Sequence, residues 1–398
     1  MRPHLLLTYD FPPMGGGIAR FMGELARHYP PGDLVVSTGL MEGADEVDAR
    51  LPCRVERVAV PAARLKSLPG VLPWSRQASI LARATNAEFC WVGQLKPCGY
   101  PAKWIRERVG VPFGVFAYGH DFLLLRHQAH RSRMKRVVAR GLLGAASCVV
   151  ACSEWTAELV RSVLEELDVP MTPDRVRVVH LGTDTDFFRP GLDTGAVRER
   201  YHLGPGRWLI TVARVVPHKG ADTVMRAMQA LGPEFDDVHY AVVGTGRALG
   251  EMKALARQLG LASRVKFLSN VPDADLPALY NVASAYVGMS RQAGLDVEGF
   301  GISFAEAAAC GLPVIAGRSG GVADVVAEGE TGLLVPAEEP TAAAEAIGRV
   351  LGDLALAERL GREGRARVER YFRWDRVVQD LRAVAHEFAG EAATPATA

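Results

Sequence analysis

What this chain lacks limits its function before any motif is read. Its six cysteines, Cys53, Cys90, Cys98, Cys148, Cys152 and Cys310, include no C-x-x-C pair, so their spacing specifies neither a zinc site nor a dithiol redox centre, and reduced thiols in a cytosolic protein fit best. No other grouping of His, Cys and carboxylates has metal-ligand spacing, and no bound metal is expected. The longest apolar stretch, around Gly141 to Cys152, falls well short of the roughly 20 residues of a membrane span. The start, MRPHLLLTYDFPP, has only a short apolar run before acid and proline. The expectation is therefore a chain that is neither secreted by a standard signal nor transmembrane. A net charge of +1 supplies no global field to recruit nucleic acid. Repeats are not visible in the sequence either.

What is present describes a large soluble α/β protein. With 398 residues, 48% of them hydrophobic and 23% charged, the chain is too long for one ordinary core and suggests two domains. Short apolar runs alternate with helical segments: His4 to Thr8, Leu34 to Ser37, Cys53 to Val60, Phe89 to Val92, Pro112 to Ala117, Cys148 to Cys152 and Val176 to Val179. This is the pattern of a Rossmann-like domain with a parallel sheet. A loop-rich passage from Asp184 to about Gly206 reads as the connection. A second alternation then runs through Trp208 to Val212, Tyr240 to Val243, Val265 to Leu268, Ser284 to Met289 and Val314 to Ala316. The expected division is 1–190, 191–374, a helix over 375–390 packing back on the first domain, and a disordered tail over 391–398, too poor in apolar groups to pack.

Candidate site residues gather where strands end. In GLDVEGFGISFAEAAACGLPVIA, Gly294 to Ala316, an alanine-rich helix stops at Gly311 and is followed by a buried strand. The loop before that helix lies at the carboxyl ends of the strands, where open α/β sheets bind ligands. Amides of Gly301, Ile302 and Ser303 would face an anion there, aided by the helix dipole. Glu298 and Glu306 can accept hydrogen bonds from sugar hydroxyls, or can serve as a loop residue and a helix-capping acid. Arg214 and Lys219, in TVARVVPHKGAD, follow the first strand of the second domain and suit a diphosphate, the one by a fork and the other as a point charge. His120, in YGHD, follows a strand of the first domain, where a histidine can bind a hydroxyl or shuttle a proton. The glycine loops GGG at 15 to 17 and GTG at 244 to 246 are weak nucleotide signals. Asp184 to Phe187, DTDF, reads as a structural Asx turn.

Taken in order, YDFPPMGGGIARF, YGHD, HLGTDTDFFRP, ARVVPHKG, VVGTGR and the pair Glu298 and Glu306 resemble the GT-B glycosyltransferases of family 4 over nearly the whole chain. Within that family GLDVEGFGI and ACGLPVIAGRSGG look closest to the actinobacterial phosphatidylinositol mannosyltransferases that add the second mannose. The resemblance implies two Rossmann-like domains facing a cleft and transfer of a hexose with retention, without metal or cofactor. The donor would be a GDP- or UDP-sugar, GDP-mannose first. Glu306 would hold the ribose, Glu298 the donor sugar, Arg214 and Lys219 the diphosphate, and the amides of Phe300, Gly301 and Ile302 the sugar and phosphate. Gly16 and Gly17 would let the first-domain loop approach, His120 would contact the reacting sugar, and the backbone at Asn270 and Val271 would read the base. The triple glycine is longer than the family's common pair, and Ser67 to Gly99 matches no known acceptor motif, so a lipid-linked and a small-molecule hydroxyl acceptor both stay open. Rivals are an NAD-dependent dehydrogenase, a non-catalytic nucleotide-sugar-binding protein and a pyridoxal phosphate phosphorylase using Lys219. Finally, Asp121 to Arg140 carries six Lys/Arg against one acid, which suggests a basic helix docking peripherally on the anionic inner face of the cell membrane, or a clamp for a charged acceptor.

Overall fold

The computed structural model describes residues 2–63, 67–170 and 172–390; the tail expected to be disordered lies outside them. Contacts divide the chain into two compact units, Met1–Leu181 with the segment from Trp374 onward, and Gly182–Arg373.

The first unit is built on a sheet of seven parallel strands: β1 (His4–Leu7), β2 (Leu34–Leu40), β3 (Arg54–Pro61), β4 (Phe89–Val92), β5 (Phe113–Ala117), β6 (Cys148–Ala151) and β7 (Val176–Val178). Their order is β3-β2-β1-β4-β5-β6-β7. Strands β1, β4, β5 and β6 are buried at every position, as a sheet covered on both faces requires, and so appear in sequence as continuous apolar runs rather than alternation. On one face lies the helix Gly17–His28, which buries Phe21, Met22 and Leu25. The helix Trp374–Ala389 packs beside it, with the Trp374 ring stacked on Phe21 at 5.9 Å and Arg382 paired with Asp33 at 2.7 Å. That is why the last helix belongs to the first unit.

The second unit holds six parallel strands, β8 (Arg207–Val212), β9 (Val238–Val243), β10 (Val265–Leu268), β11 (Ala285–Gly288), β12 (Val314–Gly317) and β13 (Gly332–Val335), in the order β10-β9-β8-β11-β12-β13. Its core joins Leu209, Tyr240, Val287 and Ile315 to the helices Ala221–Ala230 and Pro340–Gly352.

Three details differ from the sequence reading. The boundary lies at Gly182 rather than 190, because the Thr183 amide donates to the Phe372 carbonyl at 2.7 Å and the Phe188 ring packs on Tyr280 at 5.8 Å. Strand β13 was not anticipated. The basic segment is not one helix but two, His120–Arg131 and Arg133–Ala145, which meet at Ser132, whose Oγ accepts from the Lys135 amide at 3.3 Å.

His4 reports on the first core. It is 3% exposed, between Phe89 and Trp91. Trp91 Nε1 donates to the Tyr29 hydroxyl at 3.0 Å, leaving the Tyr29 proton for His4 Nδ1 at 3.0 Å. Burial, assisted by the Arg382 charge, lowers the His4 pKa from 6.5 to about 4. A depressed histidine pKa means that the unfolded chain binds the proton more tightly. Its contribution is therefore complete above pH 6.5 and lost as pH falls from 6.5 toward 4, to the extent of about 3 kcal/mol at 1.36 kcal/mol per unit. Urea denaturation at pH 7 and pH 4 should show a smaller acid-induced loss for His4→Gln than for the wild type, and equal losses would assign the acid sensitivity elsewhere.

Candidate active site

Each unit has one place where the winding of the sheet reverses. In the second unit β8 has β9 on one side and β11 on the other, so the loops leaving β8 and β11 diverge at the carboxyl ends of the strands. The β8 loop carries Arg214 and Lys219, and the β11 loop carries Glu298. Lys219 Nζ and Glu298 Oε2 form a direct ion pair, with side chains only 17% and 13% exposed. Ser290 Oγ lies 3.4 Å from the same carboxylate oxygen. Residues expected to hold the diphosphate and the donor sugar are thus in contact with each other. Arg214 is exposed. Between these two cations in sequence, His218 is 4% exposed, and burial first, then the Lys219 charge, depress its pKa and keep its ring neutral at pH 7.

The β8 loop is held by the loop after β9. A Cβ on Gly244, at φ +141°, would sit 2.1 Å from the Ala213 carbonyl, and one on Gly246 would sit 2.2 Å from that of Val215. The Val215 amide donates to the Thr245 carbonyl at 2.8 Å. The GTG loop therefore braces the backbone on either side of Arg214, a packing role that agrees with its weak nucleotide signature.

Gly301 caps the helix Ile302–Ala309 at φ +96°, where a Cβ would meet Phe304 Cδ2 at 2.5 Å. Phe300 is buried against Phe372 at 5.5 Å. Glu306 is the fifth residue of that helix and is 2% exposed, deeper than an acid of the first turn. Its Oε2 accepts from the Tyr280 hydroxyl at 2.8 Å. Tyr286, whose hydroxyl bonds Ser303 Oγ at 2.8 Å, lies within range of both glutamates, and burial together with their charges raises its pKa. Asn270 is exposed in the left-handed region at φ +56°, just after β10, and Val271 follows it half-buried. Tyr280 and Ser290 were not foreseen; Tyr280 lies 26 residues before its partner, and nothing local marks it.

Asp184 Oδ1 accepts from the amides of Asp186 and Phe187, both at 2.9 Å, the Asx turn read from the sequence. Among the described residues no group of three or more His, Cys, Asp or Glu could hold a metal ion.

In the first unit the winding reverses at β1, between β2 and β4. Gly16, at φ +123°, caps the helix that begins at Gly17. His120 is the exposed first residue of its helix. Beside it is a cavity of about 300 Å³ whose lining includes Tyr9, Gln94, Lys96, His120, Asp121 and Leu124. Asp121 Oδ1 accepts from the Tyr118 amide at 2.9 Å, while Oδ2 is buried without a hydrogen-bond partner. Tyr118 in turn donates its hydroxyl to the Gly93 carbonyl at 2.8 Å, and Gln94 Nε2 donates to Asp10 Oδ2 at 2.6 Å.

This is the architecture of a GT-B glycosyltransferase, two Rossmann-like α/β units each with a switch point at the carboxyl edge of its parallel sheet. Residues 15–187 match the model of Glycosyltransferase Family 4, and residues 199–367 that of Glycosyl transferases group 1. A GDP-mannose-dependent alpha-(1-6)-phosphatidylinositol monomannoside mannosyltransferase of Mycolicibacterium smegmatis is 33% identical over 370 residues, 91% of this chain and 92% of the relative. Its namesake in Mycobacterium tuberculosis is 31% identical over 385 residues, 95% of this chain and 96% of the relative. Among solved structures, Anabaena HepE in complex with UDP and glucose superimposes with a TM-score of 0.78 at 20% identity, covering 97% of this chain and 100% of that one. The chain belongs to the GT-B glycosyltransferases of family 4. It is an enzyme of sugar transfer, and the dehydrogenase reading is set aside.

Burial raises the Asp121 pKa from 3.8 to about 6. A raised carboxyl pKa means that the folded chain binds the proton more tightly, so the destabilising effect of ionisation sets in as pH rises past about 4 and is complete above about 6. At 1.36 kcal/mol per unit it amounts to about 3 kcal/mol. Asp121→Asn retains an oxygen for the Tyr118 amide and should unfold at higher temperature than the wild type at pH 7.5 but not at pH 4, as scanning calorimetry at the two pH values would show.

Proposed function

We propose that this protein is a retaining, metal-independent mannosyltransferase that moves mannose from GDP-mannose to a hydroxyl of a lipid-linked acceptor of the phosphatidylinositol mannoside kind. The observation that carries the reading is the switch point of the second unit, where a partly buried Lys219–Glu298 pair stands beside the glycine-capped helix Ile302–Ala309. A cation and a helix N-terminus suit a diphosphate, and carboxylates suit the hydroxyls of the sugars on either side of it. The choice of mannose and of acceptor rests on the printed activity of relatives that span the chain. On this reading Arg214 and Lys219 take the diphosphate, Glu298 the mannose, Glu306 the ribose, the amides of Phe300 to Ile302 the sugar and phosphate, and the backbone at Asn270 and Val271 the base. Gly16 and Gly17 give the first-unit loop its close approach, and His120 acts at the reacting sugar. No cofactor takes part.

GDP at a hundred times its Kd should stabilise the wild type by about 2.7 kcal/mol, and UDP should do less. Glu306→Gln replaces a charge-assisted hydrogen bond with a neutral one and should weaken GDP binding about tenfold; an unchanged Kd would refute the ribose role. NMR of the first product from GDP-mannose should show the α-anomer, and a β-linkage would exclude retention.

A lipid acceptor requires contact with a bilayer, and the first unit offers a face for it. No helix among the described residues is long and apolar enough to cross a membrane. On the helix Arg133–Ala145, Met134 and Val137 are 73% and 69% exposed. The basic excess of this segment is smaller than its sequence suggests, because Arg126 and His130 pair with Glu166, and Arg136 and Arg140 with Asp168. Arg131, Arg133 and Lys135 remain, worth about 1 kcal/mol each near an anionic surface, alongside the two apolar side chains. Co-sedimentation at low salt with vesicles of rising anionic-lipid content should pull down the wild type, and Met134→Gln combined with Arg133→Gln and Lys135→Gln should leave it in the supernatant. Retention of binding by that variant would move the docking surface elsewhere.

A further inference from the structure

Arg291, the residue after Ser290, grips the β8 loop on both sides of Lys219. Its backbone amide donates to the His218 carbonyl at 2.8 Å, one residue before the lysine. Its side chain reaches past the lysine to the first turn of the helix Ala221–Ala230. There Nη2 lies 3.0 Å from both carboxylate oxygens of Asp222, and Nη1 donates to Thr223 Oγ1 at 3.1 Å. Between these contacts the two loops meet backbone to backbone, since a Cβ on Gly220, at φ +70°, would sit 1.9 Å from the Met289 carbonyl oxygen. The Arg291–Asp222 pair is largely withdrawn from water, with side chains 17% and 28% exposed.

A cation this near a diphosphate site invites the reading that it binds phosphate itself. Its terminal nitrogens are already committed, however, one to Asp222 and the other to Thr223, and Nε faces Glu338 at 3.9 Å. What these contacts do fix is position. Lysine carries its charge on a flexible four-carbon stem, so the reach of its ammonium depends on where its backbone is anchored. On the proposed reading the Lys219–Glu298 pair cannot be that anchor while ligand is bound, because the diphosphate takes the place of the carboxylate. The contacts of Arg291 use neither of those side chains and persist when the pair opens. Ser290, its neighbour, places Oγ 3.4 Å from Glu298 Oε2, so one short segment fixes the lysine against the loop that carries Glu298.

We propose that Arg291 is the positioning residue of the diphosphate-binding lysine: latched to Asp222 and Thr223, it keeps Lys219 in place for a nucleoside diphosphate once Glu298 has been displaced. The assignment rests on the proposed transferase reading and deepens it, naming a residue that acts on the donor through Lys219 and touches no ligand itself. A planar guanidinium can meet Asp222 and Thr223 with separate nitrogens, and the single ammonium of a lysine cannot reproduce that geometry.

The test is calorimetric titration of GDP into the full-length protein and a set of variants. Arg291→Gln and Asp222→Ala should each raise the Kd for GDP about tenfold, and the two together no further than either alone, as residues of one interaction require. In a Lys219→Gln background Arg291→Gln should change the Kd by less than about twofold, because the lysine through which it acts is gone. A loss as large in that background as in the wild type would overturn the positioning role, since a residue that only supports the fold weakens binding with or without Lys219. Tighter GDP binding by Asp222→Ala would overturn it as well, because a guanidinium released from its carboxylate would then be holding phosphate directly. Arg291→Lys keeps the charge and the stem but not the geometry, and carries the same expectations should Arg291→Gln fail to fold, as the melting temperature of the free protein shows. A wild type that does not bind GDP, or a Lys219→Gln variant that binds it equally well, would sink the donor reading and the role of Arg291 with it. A loss on Lys219→Gln with none on Arg291→Lys and Arg291→Gln would overturn the role of Arg291 alone.

Discussion

Parallel strand pairing is the constraint on which the rest of this structure depends. A parallel strand cannot return through a hairpin, so each pair of neighbours is joined by a crossover and all carboxyl ends emerge on one edge. Crossovers in one direction cover one face and those in the other cover the opposite face, so only beside β1 and β8, where direction reverses, do adjacent loops part. This explains how Lys219 reaches Glu298 across 79 residues, and why Tyr9, Gln94 and His120, which follow three different strands, line one cavity. The apolar strands behind them, buried at nearly every position, fix where those loops begin.

Charge is distributed very differently on the two edges. In the second unit Lys219 is partnered by Glu298, and Glu306 Oε2 accepts from the Tyr280 hydroxyl. In the first unit Asp121 has only one of its two oxygens satisfied, and burial drives its pKa up to about 6. Breaking a partly buried pair by removing one partner is costly because it strands the other, so Lys219 and Glu298 stabilise each other as much as they serve a ligand. Asp121 has no ionic partner of that kind among the described residues and is held instead by backbone amides around the start of its helix.

Much of the fold could be read from the sequence, for a physical reason. Central strands such as Phe89 to Val92 and Val314 to Ala316 are apolar throughout because both faces are covered, and the glycine at 301 marks a turn that no side chain fits. Strand β13 was not legible because its run opens with Gly332 and closes against Pro336, residues that read as turn signals. The break at Ser132 is hidden in a stretch whose composition is helical on both sides. What could not be read at all was tertiary pairing. The basic stretch from Arg126 to Arg140 looks uncompensated until Glu166 and Asp168, contributed from beyond β6, pair with Arg126, Arg136 and Arg140. Likewise YGHD shows that an acid follows the histidine, but not that one of its oxygens is buried without a donor, since that depends on what packs around the start of the helix.

The Lys219–Glu298 pair gives a physical account of how one ligand could order the second unit. A unit charge at about 4 Å in a surface-like dielectric of about 20 is worth about 4 kcal/mol, and a dianionic diphosphate at similar range attracts Lys219 about twice as strongly as one carboxylate does. On the proposed reading an entering diphosphate therefore competes with Glu298 for the ammonium and, aided by Arg214 and the helix dipole, displaces it. The backbone of Glu298 does not have to move, because its carbonyl accepts from the Gly321 amide at 2.9 Å. Only the side chain is released, with Ser290 Oγ still near its Oε2. A carboxylate freed on a fixed backbone is then positioned to accept hydroxyls from the sugar attached to that same diphosphate. Donor binding by this route exchanges one internal ion pair for two ligand contacts, so that the phosphate end of the ligand prepares the site for its sugar end.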